Sequence, residues 1–225
     1  MRTSDTYIFT DFETTSKNKH TCQPTEIAAQ AIDARKLEVI GEFRSLIKVN
    51  EDPEYCKKYN LDPPTDEVLK MTHIDKKELM AAPEPKVVWK NFGDFVNQYN
   101  YKKNKWGAPI FAGFNINYDL PITDRLCGHD PYKFGPYDDE YRCNALFNPV
   151  HKIDLMDIVY FWFSGRNEPA SLSFDSLRAY FGMDNAKAHS ALYDVKQGTE
   201  LLVRFIKLTR KLADKTKFKG VAAEW

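Results

Sequence analysis

Residues 7–16 read YIFTDFETTS, an apolar stretch that runs straight into Asp11, one aromatic residue and Glu13. Tyr7, Phe9 and Asp11 alternate with Ile8, Thr10 and Phe12, the two-residue period of a β-strand. Carboxylates are rare in buried strands unless a partner offsets their desolvation. Side chains at i and i+2 share a strand face, so Asp11 and Glu13 point the same way, with Cβ atoms about 7 Å apart. That spacing suits two oxygen ligands reaching for hard cations. The alternative is a strand that ends at Phe12, with Glu13 in a solvated turn.

Outward from this strand, residues 26–33 and 38–49 supply two more strands separated by the polar turn DARK, which predicts an antiparallel meander. Residues 50–65 are rich in Pro, Asp and Asn and read as a loop, followed by a short helix at DEVLKMTH. PEPKVVWKNFGDFVNQYNYKK places Val87, Val88, Phe92, Phe95 and Val96 at helical spacing. APIFAGF is a buried strand leading into a helix at NYDLPITDRLCGH, and residues 128–150 read as an irregular insertion. KIDLMDIVYFWF reads as a strand running into a helix, and SLSFDSLRAYFGM as a short helix capped by Ser171 or Ser173. In the last helix, Leu192, Val195, Thr199, Leu202, Phe205 or Ile206, and Thr209 fall along one face. Strands first and then alternating helices and strands predict an α/β sheet of mixed direction covered by helices.

Composition bounds the function. The 225 residues fit one large α/β domain or two small ones, and a chain of this size buries roughly 70% of its unfolded surface. Hydrophobic residues make up 43% and charged residues 28%, an ordinary globular balance. No apolar run reaches membrane-spanning length and the N-terminus lacks a secretory pattern, so a cytoplasmic protein without a membrane partner is expected. Cys22, Cys56, Cys127 and Cys143 are widely spaced, which argues against a zinc ribbon or a disulfide framework. Formal net charge is zero, so contact with nucleic acid would be short or assisted by metal ions. Lys102, Lys103 and Lys105 lie among Tyr99, Tyr101 and Trp106, and a basic tail runs from about residue 207. Such interleaving suits single-strand stacking, although a solvated face is the commoner use.

Two more acidic motifs accompany the first. GFNINYDL at 113–120 puts Asp119 after an apolar strand, and AHSALYDV at 188–195 puts His189 and Asp194 at the start of the last helix. A five-residue separation turns about 140° on a helix. His189 and Asp194 therefore converge only if His189 sits in the preceding loop or first turn. In this order the motifs resemble those of the DEDDh branch of DnaQ-like 3′–5′ exonucleases. DFETTS is similar to that family's first motif, EIAAQAID to its second strand, and FAGFNINYD to its middle motif. LSFDSLRAYFGM followed by AHSALYDV resembles its final motif, and the likeness covers about Tyr7 to Ile206. Two positions depart from the pattern: Phe114 stands where the middle motif usually has His, and His73 of MTHID stands where a Gly is usual.

The resemblance implies a ribonuclease H-like fold in a single domain spanning 1–225. It implies hydrolysis of phosphodiester bonds at the 3′ end of single-stranded nucleic acid, DNA ahead of RNA, with release of nucleoside 5′-monophosphates. Asp11, Glu13, Asp119 and Asp194 would hold two divalent ions, Mg²⁺ or Mn²⁺, with Asp11 bridging both. His189 would be the general base, since imidazole titrates near neutral pH. Phe12, Thr14 and Asn115 would lie near the terminal nucleotide, although Phe12 reads equally as core. An exoribonuclease acting on short RNA, and a catalytically idle binding module of the same fold, are the alternatives. A polymerase or other repair partner is compatible with the sequence and has no signature in it.

Overall fold

The computed structural model describes residues 5–126, 146–184 and 188–216. Strand β1 (Thr6–Thr14) pairs antiparallel with β2 (Pro24–Asp33), and β2 pairs antiparallel with β3 (Val39–Leu46), as the meander predicts. β4 (Ile110–Gly113) runs parallel beside β1, and β5 (Lys152–Asp154) runs parallel beside β4. The sheet order is β3-β2-β1-β4-β5, a mixed sheet flanked by helices.

The alternation in β1 sorts its side chains to two layers. Ile8 and Phe12 face a core built with Trp89 and Phe92 of α4 (Pro85–Asn97) and Ile122 of α5 (Ile116–Leu126). Phe9 faces the other way. It joins a core formed with Leu155 and Val159 of α6 (Leu155–Phe163), Leu177 of α7 (Phe174–Tyr180), and Val195 and Leu202 of α8 (Ala191–Thr216). Asp11 and Glu13 share the parity of Phe9, so the strand period alone aims them toward α8. Gly198 lets α8 come close, because a Cβ there would sit 2.4 Å from Phe9 Cζ. Asp194 is one helical turn before Gly198 and is carried onto the same face as Asp11.

The expected loop at 50–65 contains a helix, α1 (Pro53–Tyr59). Its start is chemically specified: the Asp52 side chain accepts from Tyr55 N–H, and Pro53 occupies the first turn, where a missing N–H costs nothing. α2 (Asp66–Met71) forms as expected, capped by Thr65, and is followed by a further short helix, α3 (Lys76–Met80), capped by Asp75. In α4, Val87 is 50% exposed and Trp89 takes the inward place expected for it. Ser173, not Ser171, caps α7 by accepting from Ser176 N–H. Along α8 the apolar face ends before Thr209, which is exposed and donates to Phe205 O. The helix continues through the basic stretch to Thr216, and the rest of that tail lies outside the described residues. Most of the expected 128–150 insertion also lies outside them. Among the described residues, no helix is long and apolar enough to cross a membrane.

Candidate active site

The two acidic residues of β1 meet the first turn of α8. One carboxylate oxygen each from Asp11, Glu13 and Asp194 lies within 4.8 Å of the other two. Asp119, buried at 2% exposure in the first turn of α5, stands outside this trio and acts electrostatically on both Asp11 and Glu13. Gly113 keeps its approach open. A Cβ there would lie 3.0 Å from Thr10 O and 3.9 Å from Asp119 Oδ2.

The carboxyls raise one another's pKa values. Burial drives Asp11 well above the usual carboxylate range, helped by Asp119, Glu13, Asp194 and Glu26. Glu13 is pushed up to about 8, first by burial and then by Asp194 and Glu26, with Arg178 opposing. Asp194 rises less, to about 6, because Arg178 and His189 offset part of its desolvation. Burial and the neighbouring Asp154 raise Asp119. A cluster of carboxylates that repel each other is what a hard divalent cation neutralises.

His189 sits in the loop before α8 with a left-handed backbone, φ 66°, and not on the helix. That position meets the condition set by the five-residue spacing. His189, Asp11 and Asp194 border one cleft of about 250 Å³, with Phe9, Phe114, Phe174, Asp175 and Arg178. Phe114, at the position that departs from the family pattern, packs against Phe174 with centroids 4.9 Å apart and ring planes tilted by 30°.

The expected substrate contacts differ in what they offer. The Phe12 side chain is core, 5% exposed, so only its backbone faces the β1 exit. The core placement is one of the two readings its sequence left open, and it follows from the parity Phe12 shares with Ile8. Thr14 Oγ1 donates to Ser16 O at 2.8 Å and meets Tyr118 Oη at 2.8 Å, and Tyr118 Oη donates to Ser16 O at 2.7 Å. The exit loop of β1 is thereby tied to α5. Asn115 is exposed at the start of α5, with φ 60°. His73 adopts φ 56°, the left-handed conformation that glycine takes most easily.

Several supporting residues escaped sequence reasoning. Glu26, 1% exposed in β2, accepts from Ala191 N–H at 3.0 Å and from Arg44 Nε, anchoring the start of α8 to the sheet. Asp154 accepts from Asn115 N–H at 2.9 Å and Ile116 N–H at 3.0 Å, and it also caps α6 through Met156 N–H. Arg178, 1% exposed, donates to Asp194 Oδ1. A charged residue at the head of the run EIAAQAI was the available signal for Glu26, and an Asp between a strand and a helix was the signal for Asp154.

Comparison with known proteins agrees with this geometry. The exonuclease family model of RNase T type matches residues 8–202. Among solved structures, E. coli Exonuclease I in complex with single-stranded DNA is 18% identical with a TM-score of 0.69, covering 94% of this chain and 42% of that one. Cell-death related nuclease 4 is 17% identical with a TM-score of 0.69, covering 91% and 64%. A 3′-exonuclease that recognises the histone mRNA stem-loop is 14% identical with a TM-score of 0.65, covering 89% and 63%. This chain thus spans less than two thirds of each of these proteins. In the comparison with curated protein sequences, none matches. A family match across most of the chain, on a sheet that brings Asp11, Glu13 and Asp194 together beside Asp119, settles the kinship: the chain belongs to the DnaQ-like exonuclease family.

Proposed function

We propose that this nuclease removes nucleotides from the 3′ end of single-stranded nucleic acid, DNA ahead of RNA, and releases nucleoside 5′-monophosphates. The observation that carries the reading is the convergence of Asp11, Glu13 and Asp194 within 4.8 Å, beside buried Asp119. The donor set is all carboxylate oxygen, which suits Mg²⁺ or Mn²⁺ over softer metals. Its raised pKa values fit a site built for positive charge. Asp11, Glu13, Asp119 and Asp194 would hold two such ions, directly or through water. When bound, the ions supply charge neutralisation at the phosphoryl oxygens and activation of the attacking water.

The chain's own groups do the rest. His189 borders the cleft that Asp11 and Asp194 line, and as general base its imidazole takes the proton from the attacking water. The backbone around Phe12 and Thr14 and the side chain of Asn115 would contact the terminal nucleotide. Exonuclease I, a fold relative, was crystallised with dT13 and dA16 oligonucleotides, which supports a single strand as the substrate class.

The test is incubation with single strands of DNA and RNA labelled at either end, with Mg²⁺, Mn²⁺ or EDTA. The expected result is metal-dependent release of mononucleotides from the 3′ end. Faster loss of RNA than DNA would make the enzyme an exoribonuclease. Strand binding without cleavage in either metal would make it an idle binding module, and cleavage from the 5′ end would overturn the polarity.

A further inference from the structure

We infer that Arg178 is a positioning residue of this active site, holding Asp194 in place before cation and substrate bind. The inference rests on the reading of Asp11, Glu13 and Asp194 as the ligand set. Arg178 belongs to α7, a different helix from the one that carries Asp194, yet its guanidinium is used on every edge. Nη2 donates to Asp194 Oδ1, Nη1 donates to Asp175 Oδ1 at 2.6 Å, and Nε donates to Gln197 Oε1 at 2.5 Å. Its flat face rests on Phe174, with Cζ 4.2 Å from the ring centroid. Gln197 passes the restraint onward by donating from Nε2 to Asp184 O at 2.6 Å, and Tyr193 Oη donates to the same carbonyl at 2.9 Å. Asp184 and Asp194 bracket His189, and both are tied to one fork.

A guanidinium beside a metal site acts in two opposing ways. Its charge repels an incoming cation, while its fixed hydrogen bonds spare the ligand the entropy of being ordered. Ordering prevails here because the charge is shared with Asp175, and because the fork engages one oxygen of Asp194 and leaves the second for other partners. Groups that orient metal ligands in this way are worth roughly 10–100-fold in metal affinity or activity.

The measurement is Mn²⁺ binding followed by electron paramagnetic resonance without nucleic acid, together with kcat and KM on a single-stranded oligonucleotide at saturating Mn²⁺. Arg178→Met is expected to weaken Mn²⁺ binding roughly 10–100-fold and lower kcat by a similar factor, with KM for the strand little changed. Arg178→Lys, which keeps the charge but not the three-way fork, is expected to fall between. Mn²⁺ bound as tightly or more tightly by Arg178→Met, with unchanged kcat, would overturn the inference by showing that repulsion outweighs ordering. Should Arg178→Met fail to fold, Gln197→Met removes one anchor of the fork and is expected to shift both readouts in the same direction by less. Asp11→Asn separates the two levels. Loss of Mn²⁺ binding and hydrolysis in that variant upholds the ligand set whatever Arg178 does, and retention of both would refute the ligand set itself.

Discussion

Gly198 on α8 and Phe9 on β1 approach so closely that a methyl group on the glycine would lie 2.4 Å from the ring's Cζ and 2.5 Å from Cε1. The ring is core, 2% exposed, and cannot swing away as a flexible surface side chain would. Gly198→Ala must therefore push the helix off the sheet. Overpacking of this kind costs about 1–3 kcal/mol. Because Asp194 rides one turn before Gly198, the same shift draws it away from Asp11. The expected outcome is a melting temperature lower by roughly 2–12 °C, at about 2–4 °C per kcal/mol for a chain of this size, with weakened hydrolysis. Activity and stability both equal to the unsubstituted protein would show that the close approach does not place the site.

The carboxylate cluster predicts an inverted pH dependence in the absence of metal. The folded pKa of Glu13, about 8, lies above its ordinary value of 4.5, and that of Asp194, about 6, lies above 3.8. Both groups hold protons more tightly in the folded state. Their stabilising contribution is complete at acid pH and is lost as pH rises from about 4 through 6 for Asp194 and on to about 8 for Glu13. Glu13→Gln is therefore expected to melt several degrees higher than the unsubstituted protein at pH 8 in EDTA, with the gap closing toward pH 4. Thermal melts across that range check the sign. A Glu13→Gln variant less stable than the unsubstituted protein at pH 8 would contradict it.

Divalent cations should reverse that penalty. A ligand at 100 times its dissociation constant stabilises the folded state by about 2.7 kcal/mol. Saturating Mn²⁺ is thus expected to raise the melting temperature by roughly 5–10 °C, and Asp11→Asn is expected to lose most of the increase along with hydrolysis. An Asp11→Asn variant that still gains the full increase would place the cation elsewhere.

His189 is open to a separate test, because the proposed role gives it the proton and not the ions. His189→Ala is expected to lower kcat by about 10²–10⁴-fold while leaving the Mn²⁺-dependent rise in melting temperature in place. A rate within tenfold of the unsubstituted enzyme would assign the proton to another group.

The local and the tertiary parts of this site differ in legibility. Asp11 and Glu13 announce themselves because strand period is local, and the Phe9 parity that aims them at α8 can be read from five residues. The requirement that His189 leave the helix follows from helical geometry alone. α1 was hidden by the very residues that start it, since Asp52 and Pro53 serve turns and helix N-termini alike. Arg178 was illegible for a different reason. On a short helix an arginine ordinarily faces water, and its burial depends on Gln197 and Asp194, 19 and 16 residues further along the chain. Nothing local encodes that meeting.

Glu26 carries both a hydrogen-bond role and a charge, and the two can be separated. Its carboxylate accepts from Ala191 N–H, one of the donors that the start of α8 leaves without a helical partner, and from Arg44 Nε. Its charge also raises Asp11 and Glu13, the second of which it faces across the β1–β2 pairing. Glu26→Gln keeps an oxygen for Ala191 N–H and removes the repulsion, while Arg44, whose side chain is 52% exposed, can turn to water. The expected change in stability is within about 1 kcal/mol, since the bond that orders the helix start survives. Glu26→Ala strands a buried N–H and should cost about 1–3 kcal/mol, loosening the turn that holds Asp194 and lowering hydrolysis with it. Chemical denaturation of both variants in EDTA distinguishes the roles. If the Gln variant fell as far as the Ala variant, the ion pair with Arg44, and not the bond to Ala191, would be what fastens α8 to the sheet.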